Sequence, residues 1–329
     1  MLKLSLATWK YAKRWAYSIT YDEALAELSR FVIPLHQELG LPGHVEVVAG
    51  QIGEIRNCAG SSFNGMRHMN ADELRSLLSM GWGIGCHSWS HQRVTDDPER
   101  ELKRARKTIE QAIGQPITVF VAPGTNDNLT EDVQASLPDC GYLAGFGITD
   151  DINQPDPGNM MFLSRVAIHE RYRAPFFSAF DAHKRIRQAQ LASGWLVDYC
   201  HCPLEQAVDE YKDCTAAHHR ERLEAVMAEG GDECWHANLD EVVDYLWAKR
   251  CARIMPQQQE GHFHVALESL PEQVRRPELS FELEGAAEEM NIIVDGSEVQ
   301  AMPMGAGRLC FTAPVGDGTE IVVARRQER

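Results

Sequence analysis

Two histidines stand four residues apart in His87-Ser88-Trp89-Ser90-His91, directly after the glycine-rich run 83–86. Two imidazoles and one carboxylate are the usual protein ligands of an open, zinc-type catalytic site. The free positions of such a site take a water and a substrate oxygen. The metal lowers the pKa of that water and polarises a carbonyl. His-x-x-x-His alone is a weak signal, because loops often carry two histidines. Asp22-Glu23, His201 and the turn Ala122-Pro123-Gly124 strengthen it, since each follows an apolar run that reads as a strand. In barrels and open α/β sheets, reactive groups sit at the C-terminal ends of the strands.

The elements that would position these residues alternate up to about residue 255. Strands are expected over 15–22, 45–49, 83–87, 117–122, 142–146, 161–168, 195–201 and 233–237. The continuous apolar runs suit strands covered on both faces. Asn70-Ala71-Asp72-Glu73 and Asn238-Leu239-Asp240-Glu241 read as capping boxes that open helices. A helix follows Asp97-Pro98, with Leu102, Ala105, Ile109, Ala112 and Ile113 on one face and a stop at Gly114. A further helix is expected over 179–192. About seven strand–helix units emerge, the pattern of a parallel sheet closed into a barrel. After Pro256 the pattern changes. Residues 256–260 read as a linker, and 262–329 hold short strand-like runs separated by turns such as Asp295-Gly296. The division predicted is a (β/α) barrel over 1–255 and a small all-β sandwich over 256–329.

The chain has 32 basic and 48 acidic side chains, a net charge of −16. That excess disfavours nucleic acid and anionic membrane surfaces as partners. No apolar stretch approaches the roughly 18–20 residues of a membrane span. The segment 2–9 is short, is broken by Lys3 and lacks a small-residue cleavage site, so it does not read as a signal peptide. The nine cysteines are irregularly spaced and read as reduced, buried thiols. A cytoplasmic protein is the expectation, with self-association left open.

The ordered motifs resemble the polysaccharide deacetylase family, also called NodB-homology or carbohydrate esterase family 4. Thr20-Tyr21-Asp22-Glu23-Ala24 is similar to its first motif, TFDDG. His87-Ser88-Trp89-Ser90-His91 matches its second, H-[ST]-x-x-H. Ala122-Pro123-Gly124 is similar to its proline turn, GYLAGFG over 141–147 to the segment after it, and the strand ending in His201 to its last motif. The resemblance covers about residues 15–250. It implies a distorted (β/α)7 barrel and a metal-dependent deacetylase acting on N-acetyl, or O-acetyl, groups of a carbohydrate. It also implies roles. Asp22 corresponds to the general base, and Glu23, His87 and His91 to the ligands of one divalent metal (zinc, with cobalt, nickel or manganese as alternatives). His201 corresponds to the general acid and the Gly124 N–H to an oxyanion donor. Two departures stand out. Glu23 replaces an aspartate ligand, and the third motif lacks the arginine that orients the base; Arg165 is a candidate to stand in for it.

Two rival functions remain at this level: a same-fold hydrolase of a small non-sugar amide, and a non-catalytic carbohydrate-binding relative. An open groove would favour the glycan and a closed pocket the small amide. Other residues have plainer readings. Cys200 and Cys202 should point away from His201 into the core. His218-His219 should lie on a solvated helix face, and His262 and His264 should be ordinary strand residues. Trp89 and Trp195 could stack on a sugar ring or pack in the core.

Overall fold

The computed structural model describes residues 2–58, 60–172, 178–285 and 290–325. In chain order its first strands are β1 (Lys3–Leu6), β2 (Trp15–Asp22), β3 (His44–Val47), β4 (Gly83–Cys86), β5 (Val119–Val121), β6 (Ala144–Phe146), β7 (Val166–Ala167), β8 (Trp195–Cys200) and β9 (Cys234–His236). The later strands are β10 (Ala252–Pro256), β11 (His262–Leu267), β12 (Glu278–Glu284), β13 (Met290–Val294), β14 (Ser297–Val299), β15 (Ala301–Gly305), β16 (Arg308–Pro314) and β17 (Thr319–Arg325). The helices are α1 (Leu28–Leu39), α2 (Ala71–Ser79), α3 (Ala105–Ile113), α4 (Glu131–Ser136), α5 (Ile186–Ala192), α6 (Ala216–Gly230) and α7 (Leu239–Cys251). The chain divides into two compact units, Ala16–Asp240 and Met1–Trp15 with Glu241–Arg329. Among the described residues, no helix is long and apolar enough to cross a membrane.

In the first unit the strands run in the order β6-β5-β4-β3-β2-β8-β7, with β9 beside β2. Neighbours along that path are parallel. A parallel bridge between Phe146 and Leu163, just before β7, brings the two edges of the curled sheet together. This is the distorted barrel that the sequence predicted. All eight residues of the central strand β2 are buried.

The glycines of β4 follow from its neighbour. A Cβ at Gly83 would lie 2.2 Å from His44 Cδ2, and one at Gly85 2.1 Å from Glu46 Oε2. The interior thus holds a polar pair, His44 Nδ1 to Glu46 Oε1 at 2.7 Å, with Asp240 3.6 Å from His44 Nε2. Burial works against charge on His44, yet Glu46 and Asp240 outweigh it and raise its pKa to about 9. The capping box of α2 forms as its sequence requires: Asn70 Oδ1 accepts from Asp72 N and Glu73 N, and Glu73 Oε2 accepts from Asn70 N. The helix expected after Asp97 begins as a wider π-type turn over Glu99–Arg104 before α3, and ends at Gly114 with φ +77°.

The second unit contains two antiparallel sheets, β1-β12-β16-β15 and β10-β11-β17-β13-β14. Each alternates buried apolar with exposed residues. Leu279, Phe281, Leu283, Leu309 and Phe311 are buried from one sheet, and Phe263, Val265, Ile292 and Ile321 from the other. One covered face per sheet is the pattern of a β-sandwich.

Four local expectations need correction. Lys3–Leu6 is a strand, paired with Leu283 and its neighbours across β12; its short mixed pattern gave no periodicity to read. Residues 256–260 are the turn of a hairpin, since Pro256 pairs with Phe263, rather than a linker. The strand expected over 161–168 shortens to Val166–Ala167, and the helix over 179–192 to Ile186–Ala192.

Candidate active site

Three strand ends and one loop assemble the site. Asp22 closes β2, Glu23 follows it, and His87 follows β4. Arg165 precedes β7 and His201 follows β8. The backbone is unusual here. Glu23 (φ +73°), Ala24 (+50°), Ser88 (+66°) and His91 (+58°) all occupy the left-handed region without being glycine. Such conformations cost of order 1–3 kcal/mol each and persist only where their surroundings impose them.

The loop carrying His91 is imposed by Glu101, which is fully buried. Its carboxylate accepts from Trp89 N, Ser90 N and Ser90 Oγ at 2.7–3.0 Å. Ser88 Oγ accepts from His91 N. Gly50 lies against the same loop: its N–H donates to Trp89 O, and a Cβ there would meet that oxygen at 2.8 Å.

Arg165 is fully buried and grips Asp22 with both ends of its fork, Nη1 to Oδ1 at 2.5 Å and Nη2 to Oδ2 at 3.2 Å. Nη1 also donates to Thr20 Oγ1, and the guanidinium lies 4.5 Å over the Tyr199 ring. Arg165 is therefore a buried partner of Asp22 and not a solvated surface arginine. Burial alone would raise the pKa of Asp22. Arg165, with His87 and His201 adding to it, reverses that and holds the carboxyl far below the usual range. Asp22 is a fixed carboxylate.

His87 Nδ1 donates to Val121 O at 2.9 Å, which leaves a lone pair on Nε2. That Nε2 is buried and has no hydrogen-bond partner among the described residues; it lies 4.0 Å from Asp22 Oδ2. Burial lowers the His87 pKa to about 4 and holds His91 well below its ordinary value, so both imidazoles are neutral near pH 7. His91 Nε2 is 3.5 Å from Glu23 Oε1. Two donors of one tetrahedral zinc stand about 3.4 Å apart when each bond is about 2.1 Å. A carbonyl on the far nitrogen is also the usual outer contact of a ligating histidine. The three donors fit a divalent cation in type; His87 has the suitable tautomer, and His91 and Glu23 the suitable spacing. Among the described residues they are not drawn into one closed cluster of three.

A residue that no motif predicts stands on Glu23. Arg56 Nε stands 2.6 Å from Glu23 Oε2, and both side chains are nearly inaccessible, at 2%. The contact is an ion pair without a hydrogen-bonding angle, so Oε2 counts among the unpartnered buried atoms. Burial still dominates and pushes the Glu23 pKa up to about 7. Arg56 belongs to an excursion between β3 and α2. It returns through bridges of Ile55 with Arg67 and Leu25 with His68, and His68 Nδ1 donates to Glu23 O at 2.6 Å. Its tip lays Phe63 flat on His201, 4.7 Å between centroids and 16° apart. His201 Nδ1 donates to Lys212 O, and burial lowers its pKa. His169, two residues past β7, completes the surroundings. It is buried, with an unpartnered Nε2 and a pKa lowered to about 3 by burial and by His201.

Gly124 is exposed, with φ +70°, three residues beyond the Val121 carbonyl that fixes His87. Cys200 and Cys202 are buried, as expected of strand residues facing away from His201. Trp195 is core, its Nε1 donating to Ser18 Oγ. Trp89 is half-buried under Arg104. The solvated reading of His219 is overturned: it is buried at 1% exposure, with Nε2 2.7 Å from Tyr21 OH.

Comparison with known proteins bears on the fold that carries these residues. The polysaccharide deacetylase sequence profile matches residues 11–144. No curated protein matches the chain. Among solved structures, the chain is similar to a Mycobacterium smegmatis protein assigned to the polysaccharide deacetylases. Identity is 15% and TM-score 0.50, over 78% of this chain and 98% of that one. It is also similar to T48 deacetylase, solved with substrate (12%, TM-score 0.43, 69% and 90%). A third is the Xyl-CE4 domain of a multidomain xylanase from the hindgut metagenome of Trinervitermes trinervoides (13%, TM-score 0.41, 69% and 89%). The matched stretch, the part of the barrel that carries Asp22 and the His87–His91 pair, is similar to the polysaccharide deacetylase family, and the barrel has the NodB-type fold.

Proposed function

We propose that this site hydrolyses an acetyl group, amide- or ester-linked, from an acetylated carbohydrate. The observation that carries the reading is the two-pronged hold of Arg165 on Asp22, next to His87 and within the field of His201. A carboxylate kept ionised and oriented in a buried site is what a general base requires. Asp22 would take the proton of the attacking water. His201, its Nδ1–H fixed on a carbonyl, would carry a proton on Nε2 to the departing nitrogen or oxygen. The Gly124 N–H would donate to the developing oxyanion.

Glu23, His87 and His91 would hold one divalent cation of zinc type, with cobalt, nickel or manganese also suited to this donor set. Such a cation supplies an acidified water and a polarised carbonyl when bound. The sandwich over 256–329 carries no part of this chemistry. The test is acetate release from N-acetylated sugars by wild type, Asp22→Asn and chelated protein. Loss of release in the latter two supports the reading. Full activity of Asp22→Asn would overturn it.

A further inference from the structure

The site is roofed. Asp22, Glu23, Arg56, His87 and Arg165 are all at most 4% exposed, and Phe63 covers one face of His201 at 1% exposure. The roof is held from outside: Ser62 Oγ donates to Asp209 and accepts from Lys212 Nζ. A polymer needs an open channel along which its chain can pass on both sides of the reacting unit. A covered site suits a compact molecule.

The charge pattern narrows the class further. Two carboxylates, Asp22 and Glu23, face two buried guanidiniums, Arg165 and Arg56. Any cation held by Glu23 adds positive charge beyond what these four groups balance, and an uncompensated buried charge is costly. One donor is also left over. Arg56 Nη1 is buried with no hydrogen-bond partner among the described residues, on the guanidinium that holds Glu23. A buried donor left unmade costs of order 1–3 kcal/mol, and a carboxylate is the acceptor whose geometry a guanidinium fits best.

We propose that the substrate is a compact acylated amide bearing a carboxylate, which Arg56 receives, rather than a polysaccharide chain. This rests on the hydrolytic reading above and names its substrate class. His169 Nε2, also buried and unpartnered among the described residues, offers the substrate a second polar contact beside His201.

The experiment compares acetate release by the full chain from N-acetylmuramic acid, N-acetylglutamate, N-acetylglucosamine and chitopentaose. One of the two carboxylated monomers should exceed N-acetylglucosamine in kcat/KM by roughly 10- to 100-fold, the range of a charge-assisted contact. Which of the two it is separates a sugar acid from an acyl amino acid. Chitopentaose should be slowest. In R56Q the advantage should collapse through KM, and R56K, which keeps the charge without the fork, should recover part of it. Chitopentaose turned over as fast as the monomers, or an advantage unchanged in R56Q, would overturn the proposal while leaving a deacetylase. If none of the four reacts, the hydrolytic reading fails. Calorimetric titration of D22N with the two carboxylated monomers then decides the binding claim. Binding lost in D22N/R56Q upholds it; absent or unaltered binding overturns it.

Discussion

Arg165→Met is the sharpest perturbation of the base. Methionine fills much of the volume but removes both contacts to Asp22, at 2.5 and 3.2 Å, and the donor to Thr20. Breaking a buried pair by deleting one partner costs about 3–5 kcal/mol, because the other charge is left uncompensated. Here the carboxyl has an escape: burial, the largest influence on Asp22, favours its neutral form once Arg165 is gone. Its folded pKa should therefore move from far below the ordinary carboxylate value to above it. In wild type a depressed pKa contributes stability above about pH 4, lost only as pH falls below that. In Arg165→Met the raised pKa has the opposite sign, so the variant regains stability as pH falls through it. The difference in unfolding free energy should be about 3 kcal/mol at pH 8 and should shrink toward pH 5. Urea titrations at both values measure it. Asp22→Asn/Arg165→Met should recover part of the loss, since neither charge then remains. The kcat/KM profile should gain an acid limb between about pH 5 and 7 that wild type lacks. A pH-independent loss under 1 kcal/mol with an unmoved profile would refute the coupling.

Asp22→Asn should keep its fold and lose hydrolysis by roughly 10²–10⁴-fold, as removal of a general base does. Near-normal turnover would place the base elsewhere. Glu23→Ala, His87→Ala and His91→Ala should each carry less bound divalent metal by elemental analysis; undiminished content in all three would remove the assignment. Seven histidines have pKa values below the ordinary 6.5: His36, His68 and His87 at about 4, His169 at about 3, and His91, His201 and His219 lowered by burial. Each contributes stability above pH 6.5 that is lost as pH falls toward its folded value, about 1.4 kcal/mol per pH unit. Glu23 and Asp213, both raised to about 7, take up protons in the folded state and offset part of that. Chelated protein should therefore lose at least roughly 3 kcal/mol between pH 6.5 and 4.5 in urea titrations; a flat or rising curve would contradict these burials. Gly85→Ala, whose new Cβ would sit 2.1 Å from Glu46 Oε2, should cost about 1–3 kcal/mol by thermal unfolding, and an unchanged Tm would disprove that packing.

The barrel was legible because its signals are local. Continuous apolar runs marked the covered strands, Asn70 and Glu73 marked the start of α2, and Gly114 its neighbour's end. The elements misread are those whose partners lie far away in sequence. The strand Lys3–Leu6 is four residues long and exists through its pairing with Glu278–Glu284. His219 lies in a helix of weak amphipathicity, and its burial comes from Tyr21 and His36, nearly two hundred residues earlier.

The site divides in the same way. Asp22, Glu23, His87, His91 and His201 were visible because each ends a strand, where the fold itself places functional groups. Arg165, which precedes β7, could be named only as a stand-in for the missing arginine, and only the folded chain brings it to Asp22. Arg56, Phe63 and His68 lie in the stretch 49–69, which has neither helical nor strand periodicity. Its hydrogen bonds run to Ala24, Ser88 and Trp89 and fix a backbone that no local pattern encodes. That stretch changes the electrostatics of the site. The ancestral-looking set of one acid and two histidines would present a net negative pocket to a cation, and the arginine beside Glu23 cancels the acid's share. Glu23 and Arg56 thus suit each other. The longer side chain lets one carboxylate oxygen meet the guanidinium while the other faces His91 at 3.5 Å. An aspartate at the same backbone position, one methylene shorter, would have to give up one of those two contacts.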